Sequence, residues 1–318
     1  NRISSYGRPV DAILNTRFHD TMKGVLPPAF TDWYVRRTLT QRFDHDIYGL
    51  QPKHAVFSAH PTVNDELPNR IACGTVRIKP QIAEFTEHGL RFTDGTTVEH
   101  VDKVVVSTGY SFSFPVLEGG KLITVKDNEV DLYEYVFPLE CEHDTLGLIG
   151  LIQPYGSIMP ISEMQARVVL DVLAGRSKLP SKAERRAHAQ KTKDEMAHRY
   201  VKSRRHTIQV DYIPYMDELS ALIGATPPKW HELILSDPQL ALHLLFAPLG
   251  SYAYRLNGPH PWTGAREAMI GIENRMVKAT SPRHTASIYS LRNEGFMMAL
   301  TLLLTAFLAV FFVLSAIF

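Results

Sequence analysis

Two short apolar runs, each closing on a glycine-bearing loop, constrain this chain more than any other feature. The first is 104–106 in VDKVVVSTGY, β-branched and without alternation, stopping at Ser107-Thr108-Gly109-Tyr110. Such a run predicts a strand buried on both faces, as in a parallel sheet. The second is 146–152, interrupted only by Gly147 and Gly150, after which a Gln-Pro-Tyr-Gly turn leads into a helix. Ser162 and Gln165 have capping-box spacing and mark the helix start. Met164, Val168, Val169, Val172 and Leu173 form its apolar stripe, and Gly175 ends it. Strand, loop and helix N-terminus is the arrangement in which open α/β sheets receive ligands, with free N–H groups and the positive helix end facing the crevice. An electron-rich cofactor edge suits that field. A ligand-free connection from strand to helix fits the same pattern equally well.

Charge and cysteine usage narrow the class. Among 318 residues, 34 Lys and Arg balance 33 Asp and Glu, so no global field recruits nucleic acid. The 45% of hydrophobic residues suffices for the cores of two domains. Cys73 and Cys141 lie far apart and in no CxxC pair, which argues for a reducing compartment and against a disulfide framework or cysteine-based zinc site. No Asn-X-Ser/Thr sequon occurs, in keeping with a cytosolic face.

Along the chain, 11–22 and 32–43 predict helices, the second capped by Thr31 and carrying Trp33, Tyr34 and Leu39. In SAHPTVNDELPNRI, His60 before proline and the pair Asn64-Asp65 read as turn chemistry, and a lone histidine is more commonly structural than catalytic. Residues 71–106 read as β-rich: 71–73, 75–78, 82–86 and 90–93 alternate, and Asp94-Gly95 makes a hairpin turn before 96–98. The segment 111–144 reads as loop and short strand. Its Cys141-Glu142-His143-Asp144 run has metal-compatible side chains without ligand spacing and reads as a solvated turn, so no metal site is expected. Ser181 and Glu184 form a second capping box, opening a helix that runs to Arg205. Its alternating charges make a solvated face rather than a nucleic-acid surface.

Several blocks carry a more specific signal: STGYSFSFP, GLIQPYGSIMPISEMQAR, SAHPTVNDELPNRI, RRHTIQVDYI and SDPQLALHLL. Taken in chain order and over nearly the whole chain they resemble the flavin-containing monooxygenases, in their carboxyl-terminal three-fifths. The resemblance implies an α/β fold of two dinucleotide-binding domains, FAD and NADP, present here in part. On that basis 1–69 would be a helical insertion of the NADP domain and 70–108 its remaining β part. Residues 109–220 would continue the FAD domain, 221–295 a helical extension, and 296–318 a transmembrane anchor. The family's two Gly-x-Gly-x-x-Gly turns and its catalytic asparagine have no counterpart in this chain, which is what a fragment beginning at Asn1 would show. Gly147-Leu-Ile-Gly150 lies inside the expected strand and is no phosphate cradle.

The resemblance also implies the chemistry. NADPH reduces FAD, dioxygen adds to give a C4a-hydroperoxyflavin, and oxygen passes to a soft nucleophile, an amine nitrogen or a sulfide. A ketone substrate in a Baeyer–Villiger reaction is the variant, with His60 the feature to examine. Gln153, flanked by Ile152 and Pro154, is the expected flavin contact, because an amide both donates and accepts. Thr108 and Gly109 come second, and His60, Asn64 and Asp65 are expected near NADP. No residue is assigned as acid, base or nucleophile. A related disulfide reductase is disfavoured by the missing CxxC, and a non-catalytic membrane-bound interaction protein remains open. Homo-oligomerisation is compatible with the sequence.

Residues 296–318 contain no charged side chain and are long enough to span a hydrocarbon core of about 30 Å. Lys278, Arg283, His284 and Arg292 precede them, which keeps the body on the cytosolic side with the carboxyl terminus crossing as a tail anchor. The resemblance points to the endoplasmic reticulum.

Overall fold

The computed structural model describes residues 9–278 and 295–305. Its first part is helical: α1 Val10–Leu14, α2 Arg17–Val25, α3 Pro28–Arg42 and α4 Leu67–Ala72. A three-stranded antiparallel meander follows, β1 Ile82–Phe85, β2 Gly89–Phe92 and β3 Thr97–Glu99. Then come a short hairpin, β4 Leu132–Tyr133 and β5 Phe137–Pro138, and two strand–helix units. The first is β6 Gln153–Tyr155 with α5 Ile158–Leu173; after α6 Lys182–Arg199, the second is β7 Gln209–Asp211 with α7 Tyr212–Leu222. The body is completed by α8 Pro238–Phe246, α9 Ala265–Ile270 and α10 Ile272–Lys278.

The main core lies where α5 and α7 pack together under the β4–β5 hairpin. From α5 it takes Ile161, Met164 and Val168, and from α7 Met216 and Leu219, all at most 1% exposed. These spacings set one apolar face on each helix. Gly147 is a packing residue: a Cβ there would lie 2.5 Å from the Val169 side chain on α5. Gly175, at φ +68°, ends α5, as the left-handed residue after a helix does.

A buried polar chain runs through this core. The Gly150 N–H donates to Gln165 Oε1 at 2.8 Å, and Gln165 Nε2 donates to the Tyr215 hydroxyl at 2.9 Å. That hydroxyl donates in turn to the backbone carbonyl of Glu134. Gln165 is fully buried and Tyr215 is 4% exposed, so their side chains have no water as an alternative partner. The helices before the meander are tied on by a second polar group. Arg17 meets Asp217 with two bonds of 2.8 Å, and Tyr254 donates to the same carboxylate at 2.8 Å.

Several sequence expectations hold. Ser181 and Glu184 cap α6 reciprocally, although the helix ends at Arg199, short of Arg205. The Asp94-Gly95 turn joins β2 and β3, with Gly95 at φ +81°. Others are corrected. Residues 104–106 form no strand and are exposed, Val105 to 85%, because no described strand runs alongside to hydrogen-bond them. The run 146–152 is likewise not a strand; the strand is Gln153–Tyr155, where a turn was expected, since its partner is Gln209–Asp211. Residues 71–73 close the helix α4, and 75–78 form no strand. The helix α5 begins at Ile158 after Ser157, so Ser162 and Gln165 are not its capping box, and Leu173 of the expected stripe is half-exposed. Pro28 opens α3, which places Thr31 inside the helix rather than at its cap.

Among the described residues no helix is long and apolar enough to cross a membrane. The run expected to do so is helical over 295–305, and 306–318 lie outside the described residues, as do Arg283, His284 and Arg292.

Tyr215→Phe tests the buried chain. It leaves the Glu134 carbonyl and a Gln165 N–H without partners, and is expected to destabilise the fold by about 1–3 kcal/mol, read as a lower urea midpoint. Tyr34→Phe on the exposed face of α3 should leave the midpoint unchanged.

Candidate functional site

Strands β6 and β7 are parallel and pair Gln153 with Gln209, Pro154 with Val210 and Tyr155 with Asp211. Each runs directly into a helix, α5 through Gly156-Ser157 and α7 from Asp211. Two helix N-termini therefore open at the same end of the strand pair, with unbonded backbone N–H groups in their first turns. Neither cap residue uses its side chain on its own helix. Gly156 makes this junction possible: at φ +148° its would-be Cβ lies 2.8 Å from Asn15 Nδ2 and 3.1 Å from Tyr212 Cβ. A cavity of about 410 Å³ opens beside the first turn of α5, with Asn15, Ser157, Tyr212, Tyr252 and Arg275 among its walls.

The other side of the strand ends is aromatic and cationic. Asp211 holds Arg199 through bonds of 2.6 and 3.1 Å. The Arg199 guanidinium lies over the rings of Tyr155 and Tyr200, 5.6 and 5.0 Å from their centroids. Tyr155 and Tyr200 stack with an interplanar angle of 15°, and Tyr200 stacks on His206 at 5.4 Å. Burial opposes the charge of Arg199, but its bonds to Asp211 and that residue's charge outweigh it and raise the pKa. Burial raises the hydroxyl pKa of Tyr155 and Tyr200, so both stay neutral donors.

His60 joins this cluster. Its Nδ1 lies 3.0 Å from Gln209 Oε1, its ring packs on Tyr155 at 5.1 Å, and its N–H donates to His206 Nε2 at 3.3 Å. Tyr155 donates to the Ala59 carbonyl at 2.8 Å, which docks the 58–60 segment on the strands. Of the expected site residues, then, Ile152, Gln153, Pro154 and His60 come together. Ile152 is 5% exposed, Gln153 and Pro154 are half-buried, and the Gln153 side-chain amide makes no hydrogen bond among the described residues. Gly109, at φ +95°, lies beside the Arg205 side chain at the rim, and Thr108 is exposed next to it. Asn64 serves a different purpose: its Oδ1 accepts from Glu66 N and Leu67 N at 2.8 and 2.7 Å and starts α4. Asp65 is exposed in the same turn. Sequence reasoning did not single out Tyr155, Arg199, Tyr200 or Asp211. The DY of RRHTIQVDYI, directly after a strand-like IQV, was the available signal for Asp211.

The glycines before β6 do not fit a pyrophosphate. That group needs free backbone N–H groups in a glycine-rich turn, whereas the Gly150 N–H is committed to Gln165 and Gly147 is packed under Val169. The uncommitted Gln153 amide has the donor and acceptor that the polar edge of a planar ring system would take.

Comparison with known proteins identifies the family. The model of the flavin-binding monooxygenase-like family matches residues 1–315. The chain is 46% identical to mouse (Mus musculus) flavin-containing monooxygenase 5 over 283 residues, 89% of the chain and 52% of that protein. It is 44% identical to the rabbit (Oryctolagus cuniculus) protein of the same name over 310 residues, 96% of the chain and 58% of that protein. Against dimethylaniline monooxygenase (N-oxide-forming) 2 of Macaca mulatta the identity is 40%, over 89% of the chain and 52% of that protein. The chain thus spans little more than half the length of the curated relatives it matches. With nearly its whole length matched, the chain belongs to the flavin-binding monooxygenase-like family, whose members are oxidoreductases using FAD and NADPH.

Proposed function

We propose that this chain forms one wall of the cofactor site in an NADPH- and dioxygen-dependent monooxygenase that oxygenates soft nucleophiles, amine nitrogen and sulfide sulfur. The observation that carries the reading is Gln153, a half-buried amide that opens the parallel strand β6, with no hydrogen bond of its own among the described residues. When bound, the flavin takes reducing equivalents from NADPH and delivers one oxygen atom of dioxygen to the substrate. Toward its polar edge the Gln153 amide donates one hydrogen bond and accepts another. Ile152, 5% exposed, anchors the strand in the core behind that edge, and half-buried Pro154 adds apolar surface next to it. His60, with Asn64 and Asp65 in the following turn, stands on the NADP side, and Thr108 and Gly109 offer a second backbone approach. Residues 1–69 and 70–108 belong to the NADP half and 109–220 to the FAD half, with 221–295 as a helical extension. The name of the macaque relative, an N-oxide-forming dimethylaniline monooxygenase, supports a tertiary amine as substrate.

The same reading puts the apolar run 296–318 across the endoplasmic reticulum membrane with the body in the cytosol, on the strength of its uncharged length and the basic residues before it. A glycosylation sequon appended after Phe318 should become modified, while one introduced beside Lys182 should not. Modification beside Lys182 would reverse the topology.

This chain by itself is expected not to retain FAD, so the site is tested in an FAD-loaded protein that joins it to the family's two glycine-rich turns, by following NADPH oxidation, product and hydrogen peroxide with a tertiary amine, a sulfide and a ketone. N-oxide and sulfoxide are the expected products; an ester from the ketone as the principal product would shift the reading to Baeyer–Villiger chemistry, and no flavin-dependent turnover would favour an interaction protein. Gln153→Leu leaves a buried polar edge unpaired, at a cost of about 1–3 kcal/mol, so peroxide release should rise several-fold at the expense of product. Unchanged coupling would remove Gln153 from the site.

A further inference from the structure

Away from the strand ends, Glu134, His188 and Glu218 each bring one ligand atom into a group whose members lie within 4.8 Å of one another. They come from three elements. Glu134 sits in the tight turn between β4 and β5, where it and Tyr135 are both left-handed, at φ +52° and +53°. The turn is fixed by the Tyr215 hydroxyl on the Glu134 carbonyl and by Val136 N on the Tyr133 carbonyl at 3.0 Å. It sends the Glu134 carboxylate inward, where the side chain is 4% exposed and receives no hydrogen bond among the described residues. His188, from the middle of α6, presents Nε2 to Glu134 Oε1 at 3.4 Å and packs against the edge of Tyr133. Its Nδ1 is buried and also without a hydrogen-bond partner among the described residues. Glu218 is exposed on α7, so one side of the group is open to water.

A surface cluster of acids is solvated and needs no cation. This group differs, because its central carboxylate is 4% exposed, receives no hydrogen bond among the described residues and has only the His188 ring nitrogen beside it at 3.4 Å. Lys191 and Glu195 are the other charges close to the group. One imidazole nitrogen and two carboxylates are a donor set that a divalent cation takes up together. The spacing is suitable as well. Bonds of about 2.0–2.2 Å in a tetrahedral site put neighbouring ligand atoms roughly 3.4 Å apart, the separation already found between Glu134 and His188.

We propose that Glu134, His188 and Glu218 bind a divalent transition ion of the zinc type, with a coordination position left to water. One imidazole nitrogen and two carboxylate oxygens, without thiolate, favour such an ion over calcium or magnesium, which prefer all-oxygen sites. Bound there, the ion would clamp the β4–β5 turn to α6 and α7.

Equilibrium dialysis of the purified protein against buffered Zn²⁺ should find about one ion per chain. Glu134→Gln and His188→Gln should each weaken binding by at least roughly tenfold, whereas His143→Gln, in the exposed turn that lacks ligand spacing, should bind as the parent does. Zinc-edge X-ray absorption on the unmutated protein gives an answer that no folding defect can obscure. It should report nitrogen and oxygen neighbours at about 2.0–2.2 Å, with imidazole scattering and no sulfur at about 2.3 Å. No retained zinc, equal retention in folded Glu134→Gln and His188→Gln, or a sulfur neighbour would overturn the proposal.

Discussion

The hydrogen-bond chain from Gly150 through Gln165 and Tyr215 to Glu134 is the constraint on which the rest of this structure depends. Each link joins a different part of the molecule: the loop before β6, the helix α5, the helix α7 and the β4–β5 turn. In a dry core these groups have no competing solvent, so the correct arrangement is favoured by the cost of every alternative. Apolar packing between α5 and α7 supplies the attraction, but apolar faces can slide; the polar chain sets the register. It holds the loop that delivers Ile152 and Gln153 to the strand ends. It also fixes the turn that aims Glu134 at His188.

The strand ends themselves are organised by charge placed on aromatic faces. Arg199 is held by Asp211, the last residue of β7, and lies over Tyr155, the last residue of β6. One guanidinium therefore bridges both strands and the stacked Tyr200–His206 pair. His60 is drawn in through Gln209 and Tyr155, although it is distant in sequence. The result is an aromatic wall beside the strand ends from which two helix N-termini open, with the Gln153 amide uncommitted at the start of β6.

Local signals were legible in the sequence, and signals that depend on distant partners were not. Ser181 with Glu184, Asp94-Gly95 and Gly175 each act within a few residues, and each does in the fold what its type predicts. The run at 104–106 has strand composition, yet an extended segment becomes a strand only against a neighbour, and none of the described strands lies beside it. Ser162 and Gln165 have the right spacing for a cap. Gln165 is instead used in the core, because a buried amide on α5 can reach both Gly150 and Tyr215. Ile152, Gln153 and Pro154 are consecutive, and His60 meets the same strand pair at Gln209 and Tyr155, whereas Asn64 starts α4. The Glu134, His188 and Glu218 group could not be read at all, since its members are brought together only by the packing of a turn and two helices.

The central claim is that the segment from Gly150 to Ile158, fixed from behind by Gln165, lies against the flavin. Amide hydrogen exchange in the FAD-free and FAD-loaded forms of the protein tests it most directly, because the Gly150 N–H reports the buried chain and the amides beyond it report the ligand. The account predicts slow exchange at Gly150 in both forms, and exchange across 153–158 that slows when FAD is bound. Fast exchange at Gly150, or a flavin footprint that leaves 153–158 unchanged while protecting other segments, would contradict it.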